Sequence, residues 1–126
     1  MEDLFEMIKE REARKARAEL KEMFKEFVAT YTAIVGSVII HNNVGVGHIA
    51  NRLHRVQTTA IATLNELKEA ITPDDYIELG EFAREFIQDT CKELSEMMRN
   101  KNNPEYVRKM VLKSLLAELG GEDNED

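Results

Sequence analysis

The sequence predicts an all-α fold: an elongated antiparallel bundle of three to four helices with a long N-terminal helix, completed by self-association. Three observations predict it. Apolar residues recur at three- and four-residue steps through most of the chain, the period of one helix face. Only two prolines and six glycines punctuate 126 residues, which favours a few long helices. The helical segments also differ so much in length that the first overhangs any bundle its own chain can build. With 43% hydrophobic and 33% charged residues, the chain reads as one soluble globular domain over residues 1–120, with a disordered acidic tail at 121–126.

The first helix runs from about Asp3 to Ile40. Leu20, Met23, Phe24, Phe27, Val28, Tyr31, Ile34, Val35 and Val38 supply its apolar positions. Upstream, "KEREARKARAELK" favours helix strongly but offers little to bury. Leu4, Phe5 and Ile8 form an apolar knob at the far end. Residues 34–40, "IVGSVII", are rich in β-branched side chains and could be a strand. No second strand-like run exists to pair with them, so helix is the expectation.

The second helix spans about His48 to Ile71. Ile49, Leu53, Val56, Ala60, Leu64, Leu67 and Ile71 form one stripe, and His48, Arg52, Arg55 and Thr59 occupy another face. The third opens at "TPDD", with Thr72 as N-cap, Pro73 at the first helical position, and Asp74 and Asp75 at the positive helix end. It continues to about Asn100, with Leu79, Ala83, Phe86, Ile87, Thr90, Cys91, Leu94, Met97 and Met98 on its buried side. The fourth opens at "NPEY" with Asn103 as cap and stops at Gly120–Gly121. Val107, Met110, Val111, Leu112, Leu115, Leu116 and Leu119 wrap more than half of it. Such a helix is buried on several sides or covered by a partner.

At about 1.5 Å per residue the fourth helix is only roughly 24 Å long, far shorter than the first. A second protomer is the economical cover for both overhanging surfaces, with Leu4, Phe5, Ile8, Leu112 and Leu116 as the expected oligomer interface. The alternatives are a first helix that breaks near Arg17 and folds back, or a frayed tip.

A net charge of −7 argues against general nucleic-acid binding, which needs clustered Lys and Arg. A lone Cys91 makes no internal disulfide, which fits a reducing compartment. "MEDLFEMIKE" lacks the basic start and apolar run of a signal peptide, so a cytoplasmic location is expected. The longest apolar-leaning run, Phe27 to Ile40, has fourteen residues against the roughly 20 needed to span a bilayer. It reads as a core helix, with no membrane partner.

One stretch stands apart: "HNNVGVGHIANRLHR", His41 to Arg55, which holds all three histidines. It lies inside an acid-free run from Phe27 to Asn65 in a chain with 24 Asp and Glu. Every other helix opens with an acid, whereas the second opens "GHIANR" with Gly47 as the expected cap. An uncompensated helix start has free N–H groups and a positive dipole end, which suit an anion. Asn43, Gly45, Gly47, His48, Asn51, Arg52 and Arg55 are therefore the candidate anion-binding residues. The plainer reading is a connector whose two arginines pair with acids of the third helix. The glycines match neither a dinucleotide fingerprint nor a Walker loop.

Metal ligation is not expected, because His48 and His54 lie about 240° apart around a helix and no second cysteine helps. No cofactor is implied. The third helix carries an acidic ridge at three- and four-residue steps, Asp74, Glu78, Glu81, Glu85, Asp89, Glu93 and Glu96. It is a solvated face, or a surface for a basic protein partner through Glu78, Glu81, Glu85 and Asp89. Cys91 falls in phase with core positions and the three serines have no nearby His, so no catalytic residue is assigned. Met97, Met98 and Met110 fill the core or form a soft surface at the third junction. Two functions follow: a non-catalytic adaptor or inhibitor working by protein–protein contact as a homo-oligomer, or a sequestering protein for a phosphorylated metabolite or signalling nucleotide.

Overall fold

The computed structural model describes residues 2–120. The expected tail at 121–126, with the second glycine of the stop signal, lies outside them. The described chain forms four helices and no strand: α1 (Glu2–His41), α2 (Val46–Glu66), α3 (Pro73–Asn100) and α4 (Pro104–Gly120), with a 3₁₀ turn at Lys68–Ala70 before α3. Residues 34–40 are helix, and α1 neither breaks nor folds back near Arg17.

α1, α2 and α3 pack on one another, and α4 touches them only marginally. The core is a single cluster. α2 contributes Ile49, Leu53, Val56, Ala60 and Leu64, the stripe read from sequence, with Leu67 partly buried beside it. α3 contributes Leu79, Ala83, Ile87 and Leu94. The expected continuation of α2 to Ile71 is corrected: the helix ends at Glu66, and the 3₁₀ turn delivers Ile71 to the core instead. The tighter turn keeps both apolar positions facing inward while turning the chain toward α3.

α1 departs most from expectation. Its buried positions are Phe24, Val28, Thr32, Gly36 and Ile39. Thr32 is satisfied by donating its hydroxyl to the Val28 carbonyl at 2.6 Å, and Leu94 of α3 rests against Gly36. Met23, Ile34 and Val38, read as core, are 64%, 56% and 42% exposed. The helix therefore has two apolar faces, and its own chain covers one. α1 also holds an 18-residue window of mean hydropathy 1.4, longer than the fourteen-residue run counted above. By length and composition it is the one helix among the described residues able to cross a membrane, a test that core helices of soluble proteins also meet.

Lys21 marks where α1 enters the bundle. Its ammonium pairs with Glu78 at 2.6 Å and Asp75 at 3.1 Å on the first turns of α3. Thr72 caps that helix, accepting from the Asp75 N–H at 3.1 Å. Below this level residues 3–16 of α1 are exposed throughout, including Leu4, Phe5 and Ile8. At the opposite end α4 leaves the bundle without one buried residue, which rules out burial on several sides by its own chain.

Candidate functional site

The link between α1 and α2 is built by Asn43. Its φ of 53° is the left-handed conformation, which asparagine tolerates better than most residues. The Val44 N–H reaches back to the Ile39 carbonyl at 3.1 Å, and the Asn43 N–H to that of Ile40 at 3.1 Å. This is a Schellman closure of the α1 C-terminus, with Val44 packed on the core beside it. Lys101, at the α3–α4 junction, donates to the Asn43 side chain and ties the two junctions together.

The glycines therefore have another place than the one sequence suggested. Neither has positive φ. Gly45, not Gly47, is the N-cap of α2, and Gly47 lies inside the first turn. A Cβ at Gly47 would meet nothing within 4 Å. The left-handed residue needed to turn the chain is Asn43, so the turn itself requires neither glycine. What they do is leave the helix start bare: no side chain caps it and no acid lies in its first turn.

Six residues line one open depression of about 460 Å³ there: Val44, Gly45, His48, Asn51, Arg52 and Arg55. The structure thus brings together Gly45, His48, Asn51, Arg52 and Arg55 of the sequence candidates. It leaves out Gly47, and Asn43, whose side chain is engaged by Lys101. The expected pairing of Arg52 and Arg55 with acids of the third helix does not occur. Among the described residues the ion pairs are those of Lys21 alone. Both guanidiniums are exposed, one turn apart, beside a positive helix end. The set suits holding an anion: two cations, an imidazole and an amide. Lys101 does not line this depression, and its bond to Asn43 is a contact that sequence reasoning missed, because nothing in the local pattern joins it to a link 58 positions earlier.

The acidic ridge of α3 is exposed along its length, including Glu81, Glu85 and Asp89. Its start is different, because Lys21 holds Glu78 and Asp75. Glu78 and then Asp75 raise the Lys21 pKa, and Lys21 in turn depresses that of Asp75 against partial desolvation. Cys91 is half-buried against the core. No group of three His, Cys, Asp or Glu able to hold a metal ion occurs among the described residues.

Apolar surface is the other conspicuous feature. Leu112 and Leu116 of α4 are 56% and 59% exposed. Met97, Tyr106, Val107, Met110, Val111 and Leu115 line a groove of about 470 Å³ where α3 meets α4. Met97 and Met110 thus face this groove, while Met98 packs on the core. Comparison with family models, with curated proteins and with solved structures finds no match to this chain.

Proposed function

We propose that the chain is a non-catalytic, cytoplasmic interaction protein that works as a homo-oligomer, an adaptor or inhibitor acting through protein–protein contact. The observation that carries this is α4: seventeen residues, rich in leucine and valine, none buried by its own chain. Exposed apolar surface of this kind marks an interaction site. The exposed tip at Leu4, Phe5 and Ile8 adds to it. A basic partner is the fitting target for the unpaired part of the acidic ridge, Glu81, Glu85 and Asp89, with Glu78 already engaged by Lys21. Light scattering across a concentration series tests the assembly. Mass above that of one 14.5 kDa chain is expected, and a monomer at every concentration would overturn the reading.

A second reading has its own support. Gly45, His48, Asn51, Arg52 and Arg55 share one depression, and both arginines lack an acidic partner among the described residues. A phosphorylated small molecule, a metabolite or signalling nucleotide, would bind there without turnover. Native mass spectrometry of the gently purified chain should then show a retained anion that Arg55→Glu loses. A bound species kept by Arg55→Glu would place the ligand elsewhere.

A further inference from the structure

We infer that residues 3–16 of α1 are an arm that lies antiparallel along α3 of a second copy of this chain. Leu4 and Ile8 seat in that copy's α3–α4 groove, and Arg11 and Lys15 meet its Glu93 and Asp89. The joint is reciprocal, so each copy's arm lies on the other's α3 about a two-fold axis. This rests on the self-association proposed above and adds which surfaces meet and in which direction.

The first ground is that the chain carries both halves of a joint and cannot close it on itself. The arm is exposed on every side from Asp3 to Ala16, with an apolar tip followed by cations. Between Lys9 and Arg17 five cations stand against two acids. The α3–α4 groove is apolar and follows a run of acids: between Glu85 and Glu96 four acids stand against Lys92 alone. Neither set is paired, because the ion pairs among the described residues are those of Lys21. α1 is unbroken, so Phe5 lies about 54 Å from His41. The groove is at that far end, since Lys101 in its lining bonds Asn43. A chain's own tip therefore never reaches its own groove, and the tip of another copy does.

The second ground is the spacing, which selects the direction. On α3, Asp89, Glu93 and Met97 follow one another at four-residue steps, so a single ridge of side chains leads through two exposed acids into the groove. On the arm, Leu4, Ile8, Arg11 and Lys15 step by four, three and four along one stripe, apolar first and cationic after. Laid antiparallel with Arg11 level with Glu93, the arm brings Lys15 level with Asp89, because both pairs are four residues apart. Ile8 and Leu4 then come level with residues 96 and 100, on either side of Met97. Glu12 and Lys92 are each turned about 100° from Arg11 and Glu93, to the sides of the two rows. Laid parallel, the same stripe would carry its cations past Arg99 and Lys101, like on like. Charge thus favours the antiparallel pair and opposes the parallel one.

The third ground is length. Lys21, bonded to Asp75 and Glu78, marks where a copy's own bundle begins. In the register above, the second copy's Lys21 comes level with Ala83, about 15 Å in from the start of α3 at Pro73. Its bundle therefore lies beside the first turns of α3, clear of Asp89, Glu93 and the groove. A two-fold operation repeats the contact with the roles exchanged, which makes the pair closed and isologous.

Charge exchange in the full chain is the test, read by sedimentation velocity at low salt with circular dichroism as the control for folding. Wild type should sediment as two 14.5 kDa chains. Arg11→Glu with Lys15→Glu should weaken dimerisation at least about tenfold, as should Asp89→Lys with Glu93→Lys. All four substitutions in one chain should restore it, because each reversed arm then meets a reversed ridge. A dimer that neither pair of substitutions weakens would overturn this joint while self-association stood. Weakening by both pairs without restoration would overturn the contact between arm and ridge. The orientation is read separately, by mild oxidation of Lys15→Cys with Asp89→Cys in a Cys91→Ser chain. Within one chain those positions lie about 28 Å apart along the bundle, so a disulfide forms only between copies. A linked dimer is expected, and a dimer that stays unlinked would overturn the antiparallel register. A monomeric wild type at every concentration would overturn both the joint and the self-association beneath it.

Discussion

α2 and α4 are both rich in apolar side chains, yet they meet opposite fates. In α2 the apolar residues fall in one stripe, Ile49, Leu53, Val56, Ala60 and Leu64, each at most 2% exposed. In α4 they spread around the helix and none is buried. A stripe about 100° wide can be satisfied by neighbours in the same chain, because the opposite face remains free for water. An apolar surface that wraps the helix needs cover from several directions, and three helices already packed on one another do not supply it. Arrangement of apolar residues, more than their number, separates a core helix from one left for a partner.

The comparison breaks most directly in the core. Leu53→Ala, at a site 1% exposed, should destabilise the chain by about 2–5 kcal/mol in urea unfolding. A loss below about 1 kcal/mol would mean that the α2 stripe is not the packed centre. Thr72→Ala should cost less, about 1 kcal/mol, by removing the acceptor for the Asp75 N–H at the start of α3. Thr72→Asn should restore most of it, since asparagine caps as well. A loss that asparagine does not restore would assign the effect to packing instead.

The Lys21 pair is exposed, so its contribution is smaller and is best read through pH. Lys21 holds the folded Asp75 pKa below the ordinary 3.8. A depressed carboxylate stabilises above its unfolded pKa and loses that effect as pH falls through the folded value. On the alkaline side, Glu78 and Asp75 raise Lys21 above 10.5, so its share is complete below that pH and fades as pH rises through the raised value. The gap in Tm between wild type and Asp75→Asn should therefore be widest near neutrality and close below about pH 3.8. A gap that persisted at pH 2 would show that the asparagine acts by some route other than charge.

The starts of α3 and α4 and the α2 and α3 stripes were legible because each rests on local chemistry: Thr72 before Pro73, Asn103 before Pro104, and apolar residues at helical spacing. The inner face of α1 was not. Thr32 and Gly36 occupy two of its five buried positions, so the true core face looks less apolar in sequence than the exposed one. The anion candidates were legible as a missing acid at a helix start, and five of them do share a depression. The part played by Asn43 was hidden, because two nearby glycines drew attention from the residue that takes the left-handed turn. Lys101 was beyond reach, since its link to Asn43 exists only after three helices have packed.

The smallest expected effect is the most informative about α4. Leu112→Ala with Leu116→Ala removes two large side chains that are more than half exposed. Measured at a concentration too low for assembly, the double variant should unfold within about 0.5 kcal/mol of wild type. Raising the concentration should then separate them. Assembly that binds only folded chains raises apparent stability by mass action, so the wild-type Tm should climb while that of the variant lags. A loss of about 2–5 kcal/mol already present at the low concentration would mean that α4 packs onto its own bundle in solution. The contrast with α2 would then disappear, because both helices would owe their apolar surfaces to the same intramolecular core.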